Sequence, residues 1–188
     1  QWTQDWFPRL DAAMAYTMVR SCCPRRIVEI GSGHSTRFFA RAVSDANLDT
    51  TITAIDPQPR AYLDGLNSVK VIRKPLQEVS SAPFDELAAG DILAIDSSHV
   101  LMPGSDVDML LNRILPGLPT GVLVQVHDIF LPDDYPMDWN WRGYNEQLAI
   151  AILLHEGSSW KVEFASHYAV TRMTDSVESS VVGRLPLL

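Results

Sequence analysis

Four polar clusters in this 188-residue chain have the residue types and spacing to do chemistry. The first runs Glu29-Ile30-Gly31-Ser32-Gly33-His34-Ser35-Thr36. Its two glycines allow a sharp turn that brings a ligand directly against the peptide groups. A helix opening near Ser35 would aim its unpaired N–H groups at the same spot, while Ser35 and Thr36 cap it. The second cluster is Asp56 with Pro57, a carboxylate placed to grip the two hydroxyls of a ribose. The third is Asp96-Ser97-Ser98-His99 and the fourth is His127-Asp128. Imidazoles titrate near neutrality when unperturbed, so His99 and His127 are candidate general bases, with Asp128 orienting His127. The plainer alternative is that each histidine caps a strand end or bonds a backbone group.

These clusters need elements to hold them, and the hydrophobic pattern supplies a repeating order. Leu10, Ala13, Met14, Thr17 and Met18 recur at helical spacing and predict a helix ending near Ser21, ahead of Pro24. Apolar runs at 27–30, 51–55, 69–72, 91–95 and 122–126 read as strands, the first apolar almost throughout and so buried on both faces, as in a parallel sheet. Helices are expected at about 35–43, 59–66, from Ser105 to Pro116, and at 144–155, where Tyr144, Leu148, Ala151 and Ile152 would face inward. Shorter helical pieces fit 76–79 and the stretch between Pro83 and Gly90. Ser105 with Asp108 three residues on resembles a capping box. A sixth strand is expected at 160–165, and a last antiparallel strand near Val181-Val182 unless the chain stops short of it. Alternating strands and helices imply a parallel sheet with helices on both faces, and ligands in such sheets sit at the carboxyl ends of the strands. All four polar clusters follow strands and so converge on one edge. The loop 129–143, with Pro132, Tyr135, Pro136, Trp139 and Trp141, is long for a plain connection and is a candidate lid.

Bulk properties narrow the class. The chain is 46% hydrophobic and 20% charged, which suits one domain with a single core. Within it, 1–23 reads as an aromatic arm and helix, 24–165 as a cofactor-binding core and 166–188 as a C-terminal segment. A net charge of −8, with basic residues scattered, argues against nucleic acid or an anionic membrane as partner. No apolar run approaches the roughly 18 residues of a membrane span, and the N-terminus does not read as a signal peptide. Cys22 and Cys23 are adjacent, poorly placed to pair, and are expected as small buried residues in a reducing, cytoplasmic setting. The aromatic arm and the lid offer a homodimer contact.

Two cofactors compete for the glycine turn. A dinucleotide site calls for glycine at the position of Thr36, whose Cβ would crowd a pyrophosphate against the helix. Glu29 would also repel a pyrophosphate and suits a positively charged ligand. S-adenosylmethionine meets both conditions, having sulfonium, ammonium and ribose without phosphate.

The segments Glu29 to Thr36, Ile95-Asp96-Ser97-Ser98-His99, Val126-His127-Asp128-Ile129-Phe130-Leu131-Pro132 and Trp141-Arg142-Gly143-Tyr144-Asn145-Glu146-Gln147 together resemble class I S-adenosylmethionine-dependent methyltransferases of an uncharacterised small-molecule type. The resemblance covers about residues 8–165. It implies an α/β, Rossmann-like fold with a mostly parallel seven-stranded sheet. It also implies a methionine subsite at the glycine turn, continued by Asp96, Ser97 and Ser98, with Asp56 on the ribose and Leu76-Gln77 beside the adenine. Asp96, His127 and Asp128 fall where metal-dependent catechol-type relatives place their ligands, which raises a divalent metal as a second cofactor; imidazole there departs from the all-oxygen pattern. The expected activity is methylation of oxygen, or less readily nitrogen, on a small hydroxylated acceptor such as a sugar or secondary metabolite. Two alternatives stay open: a nicotinamide-dependent oxidoreductase, and a cofactor-binding module without turnover.

Overall fold

The computed structural model describes residues 6–184. Five strands, β1 (Arg26–Ile30), β2 (Thr51–Ile55), β3 (Val69–Ile72), β4 (Ile92–Ile95) and β5 (Leu123–Val126), form one parallel sheet in the order β3-β2-β1-β4-β5. The order reverses between β1 and β4, whose carboxyl ends therefore flank the crevice where a ligand can reach the backbone.

Two-residue periodicity divides the core between the faces of this sheet. Ile27, Ile52 and Ile92 point to one side, where they meet Phe38, Phe39 and Val43 of α2 (His34–Asp45) and Ala12, Ala15 and Val19 of α1 (Arg9–Cys22). Val28, Ile55, Leu93 and Ile95 point to the other. There they pack on Leu76, on Phe84 of α3 (Ala82–Asp85), and on Leu110, where α4 (Asp106–Met109) continues into a π turn. Burying each of the larger of these, the Val, Leu, Ile and Phe side chains, is worth about 1.5–3 kcal/mol. Asp91 closes the opposite end of the sheet: one carboxylate oxygen accepts from the N–H groups of Arg25 and Arg26 at 3.0 and 2.9 Å, the other from Ala88 at 3.0 Å. The Ser105 cap forms as expected, its hydroxyl accepting from Asp108 N–H.

Several expectations are corrected. The sheet has five strands among the described residues, not seven: 160–165 runs as irregular chain, and Val182–Arg184 is a 3-10 turn. The stretch 59–66 is a series of turns, because Pro57, Pro59 and Gly65 (φ 84°) interrupt it and only Leu63 anchors deeply while Tyr62 is exposed. Cys22 and Cys23 are exposed, since they close α1 with Cys23 in the left-handed region and turn outward. Helix α5 (Glu146–Leu153) is reversed from the expected orientation: Glu146, Gln147 and Ile150 are buried, whereas Leu148 and Ile152 face outward. Two short helices, α6 (Ser166–Arg172) and α7 (Thr174–Ser179), follow. No helix among the described residues is long and apolar enough to cross a membrane. Of the aromatic arm, only Trp6 and Phe7 fall among the described residues; Trp2 lies outside them.

Candidate active site

The turn after β1 is so tight against the end of β4 that it leaves no room for a side chain. Gly31 has φ 77°, and a Cβ there would stand 2.1 Å from the carbonyl oxygen of Asp96, so no side chain fits between the ends of β1 and β4. Gly33 is extended, and a Cβ there would make an ordinary 3.4 Å contact with Arg60 Cβ. The need for glycine is therefore firm at the first position and mild at the second.

Glu29 braces this turn from inside. It is 1% exposed. Ser35 and Thr36 donate hydroxyl hydrogen bonds to its two carboxylate oxygens at 2.5 and 2.6 Å, and Thr36 accepts in turn from Gly33 N–H at 3.0 Å. Burial pushes the Glu29 carboxyl up to about 8, against the opposing pull of the two hydroxyls, with the charges of Asp96 and Asp56 adding to the rise. Its side chain is thus directed to the turn and away from the crevice. Asp56, at the end of β2, accepts from Ser32 Oγ at 3.0 Å and from Gln58 N–H at 2.7 Å, which leaves acceptor positions on both of its oxygens.

The remaining site residues come from the loops after β4 and β5. His99 and Asp128 both adopt left-handed backbone, at φ 60° and 56°, a conformation uncommon outside glycine that re-aims their side chains toward each other. His99 Nε2 is 3.2 Å from Asp96 Oδ1 and 3.6 Å from Asp128 Oδ2, and Nδ1 is 3.0 Å from Glu146 Oε2. His127 Nε2 is 3.6 Å from Asp11 Oδ2, while its buried Nδ1 lies 3.3 Å from Asp128 Oδ1 and 3.6 Å from Asp96 Oδ1 without a hydrogen bond to either. Burial alone would discharge both rings. It is outweighed by Asp96 and Glu146 around His99, which reaches about 9, and by Asp11, Asp96 and Asp128 around His127, which reaches about 10. Both imidazoles are therefore cationic at neutral pH, and neither is a free base as the sequence suggests. Burial raises Asp96 in turn, but the two imidazoliums outweigh that and hold it well below the usual carboxylate range; Asp128, for which burial dominates, lies above it.

These imidazoles bear directly on the metal expectation. Each ring stands between Asp96 and Asp128, where a cation shared by the two carboxylates would sit. Among the described residues no group of three or more His, Cys, Asp or Glu side chains is arranged to hold a metal ion. Asp96, His127 and Asp128 form no such group as they stand: the two carboxylates face the rings of His99 and His127.

Three consecutive residues at the start of α5 hold the loops together. Asn145 accepts from Leu101 N–H at 2.6 Å, Glu146 accepts from Ser97 Oγ at 3.0 Å as well as from His99, and Gln147 accepts from Phe130 N–H at 2.9 Å while donating to Asp133 O at 3.2 Å. Ser97 is thereby turned toward Glu146, and Ser98 toward Asp106 at 2.5 Å. Leu76 lies in the core, and Gln77 donates to Gly104 O at 3.1 Å. His34 lines a small recess beside the turn. The lid loop packs on itself: Phe130 and Tyr144 both meet Trp139 edge-on, Arg142 lies 4.0 Å over the Trp139 ring, and Tyr144 lies 4.5 Å from the His99 ring. His167 and Arg172 of α6 clasp Asp133 at 2.7 and 2.6 Å. Asp11 and Glu146 are the functional neighbours that the sequence did not single out for roles. The Asn145-Glu146-Gln147 run beside the lid is the visible signal for Glu146, and Asp11 has none.

A protein-family model described as a methyltransferase domain, Methyltransf_24, matches residues 28–129, which is more than half the chain. The chain belongs to this methyltransferase-domain family. Among curated proteins none matches. Solved structures with the same fold include an SAH-bound Podospora anserina methyltransferase, PaMTH1, at 20% identity and TM-score 0.52, covering 79% of this chain and 70% of that one. A cmcI structure with Mg and SAM aligns at 18% identity and TM-score 0.49, covering 75% of this chain; the chain spans 58% of the length of that relative. Family membership and the buried Thr36, whose hydroxyl is tied to Glu29 and Gly33, set the dinucleotide alternative aside.

Proposed function

We propose that this methyltransferase domain uses S-adenosylmethionine to methylate an oxygen of a small hydroxylated molecule such as a sugar or secondary metabolite. The observation that carries the reading is the position of Asp96. Its carboxylate lines both the small recess at the glycine turn, with Ser32, Gly33 and Ser35, and the far larger groove of about 1880 Å³ that contains His99, Asp128, Trp139 and Tyr144. A cofactor subsite and an acceptor subsite thus meet at one ionised group.

The residues present fit an adenosyl cofactor without phosphates. The glycine turn offers backbone, Asp56 offers spare acceptor positions for ribose hydroxyls, and the recess holds a carboxylate and a guanidinium in place of a phosphate-binding cluster of cations. When bound, the cofactor supplies an electrophilic methyl group on a positively charged sulfur. Asp96, kept ionised by His99 and His127, favours positive charge at that end of the crevice. Asp128, whose burial makes it the stronger base of the two aspartates, lines the acceptor groove and takes the acceptor's hydroxyl proton. Glu146, which is not part of the groove's lining, positions the His99 imidazolium, and Asp11, which lines the groove, positions that of His127. The aromatic wall of Trp139 and Tyr144 excludes water and gives a flat acceptor a face to lie on, which supplies alignment, a large share of catalysis in transfer reactions.

The test is calorimetry with S-adenosylhomocysteine and with NADH, followed by label transfer from methyl-labelled S-adenosylmethionine to a panel of sugars and phenols. Binding of the first and not the second, with label on oxygen, supports the reading. Absence of affinity for S-adenosylhomocysteine overturns it.

A further inference from the structure

The small recess beside the glycine turn contains opposite charges at its rim, Arg60 and Asp96, together with Trp6, Phe7, Ser32 and Ser35. Resting on the cofactor reading above, we infer that Arg60 binds the α-carboxylate at the methionyl end of the cofactor, with Trp6 as the platform that presents the guanidinium. Arg60 comes from the loop after β2, and its position is fixed by the backbone: its N–H donates to Ser32 O at 3.1 Å, and its Cβ lies 3.4 Å from where a Cβ on Gly33 would stand. Its guanidinium lies 4.9 Å over the Trp6 ring. A face-on contact of this kind orients the cation without using its N–H donors. Among the described residues Arg60 makes no ion pair, so the planar fork is available to a ligand.

A guanidinium fork matches a carboxylate in shape and charge. The pairing of Arg60 with Asp96 across one recess suits a zwitterion, the carboxylate toward the first and the ammonium toward the second. A pyrophosphate would find one compensating guanidinium and a repelling carboxylate. The recess is about 20 Å³, little more than a water site, so the methionyl end enters as the Trp6 side chain swings aside. Trp6 is 59% exposed, and little burial is lost in that movement.

The experiment compares two ligands by calorimetry. S-adenosylhomocysteine carries the amino-acid end, and 5′-methylthioadenosine keeps the adenosine and the sulfur but lacks it. Arg60→Gln should weaken S-adenosylhomocysteine by about 10- to 100-fold, the range for hydrogen bonds to a charged group, and leave methylthioadenosine within twofold. Arg60→Lys, which keeps the charge, should recover part of the loss, and binding should shift the Trp6 fluorescence in the wild type but not in Trp6→Phe. Equal weakening of both ligands, no weakening of either, or a lysine variant no better than glutamine would overturn the assignment. Wild-type protein that binds neither compound would instead overturn the cofactor reading itself, and this assignment with it.

Discussion

Glu29→Gln offers the sharpest physical test of the site. In the fold this carboxyl is raised from 4.5 to about 8, with burial as the main cause. A tenfold change in proton affinity is worth about 1.4 kcal/mol, so the rise corresponds to about 5 kcal/mol, an upper limit because local opening of the turn can relieve it. The sign follows from linkage. Between 4.5 and about 8 the folded chain binds more protons at this site than the unfolded chain does, so stability falls as pH rises through that window and levels off above it. Glutamine keeps an acceptor for one of the two hydroxyls and carries no charge, so the variant lacks this component of the pH dependence. Urea unfolding of both proteins at pH 4.5 and at pH 9 isolates it, since every other titrating group is common to the pair. The variant should gain on the wild type by up to about 5 kcal/mol between the two conditions. Parallel pH dependences would refute the reasoning and would mean that Ser35, Thr36 and the start of α2 hold Glu29 ionised.

Other consequences are open to direct measurement. In an NMR titration the ring of His99 should titrate near 9 and that of His127 near 10, and stability should decline as pH climbs from about 6.5 through those values; midpoints near 6.5 would contradict the carboxylate cage. Glu146→Gln should move the His99 midpoint downward while leaving His127 nearly unchanged, because Glu146 touches only the first ring. Asp91→Ala strands three backbone N–H groups and should lower unfolding stability by about 3 kcal/mol or more, read from the urea midpoint. Gly31→Ala places a methyl group against the Asp96 carbonyl at positive φ and should cost at least about 3 kcal/mol, measured by thermal unfolding.

What could be read from the residues follows from what drives each element. Strands β2 and β3 match their expected spans, and β1 and β4 differ by one residue at the start, because β-branched apolar runs between charged ends have few other ways to be buried. The turn at Gly31 and the clustering of Asp56, Asp96, His99, His127 and Asp128 at one edge follow from topology alone. Helix α5 defeated periodicity, since the Glu146 and Gln147 side chains are drawn inward by hydrogen bonds to loops 14 or more residues away, and by apolar pattern alone that face reads as solvent-exposed. The stretch 160–165 has strand-like residues, yet what makes a strand is a partner edge, and here it has none. The charge state of the histidines was equally hidden. It depends on Asp11 and Glu146, which reach them across 116 and 47 residues of chain, and local sequence reports nothing of such neighbours.

The Asn145-Glu146-Gln147 run also has a mechanical meaning. One turn of helix grips the loop behind β4 and the loop behind β5 at once. The two rims of the groove are thereby tied to one another through the start of α5, so on the proposed function a displacement of the chain at Phe130 to admit an acceptor should be felt at the imidazole of His99.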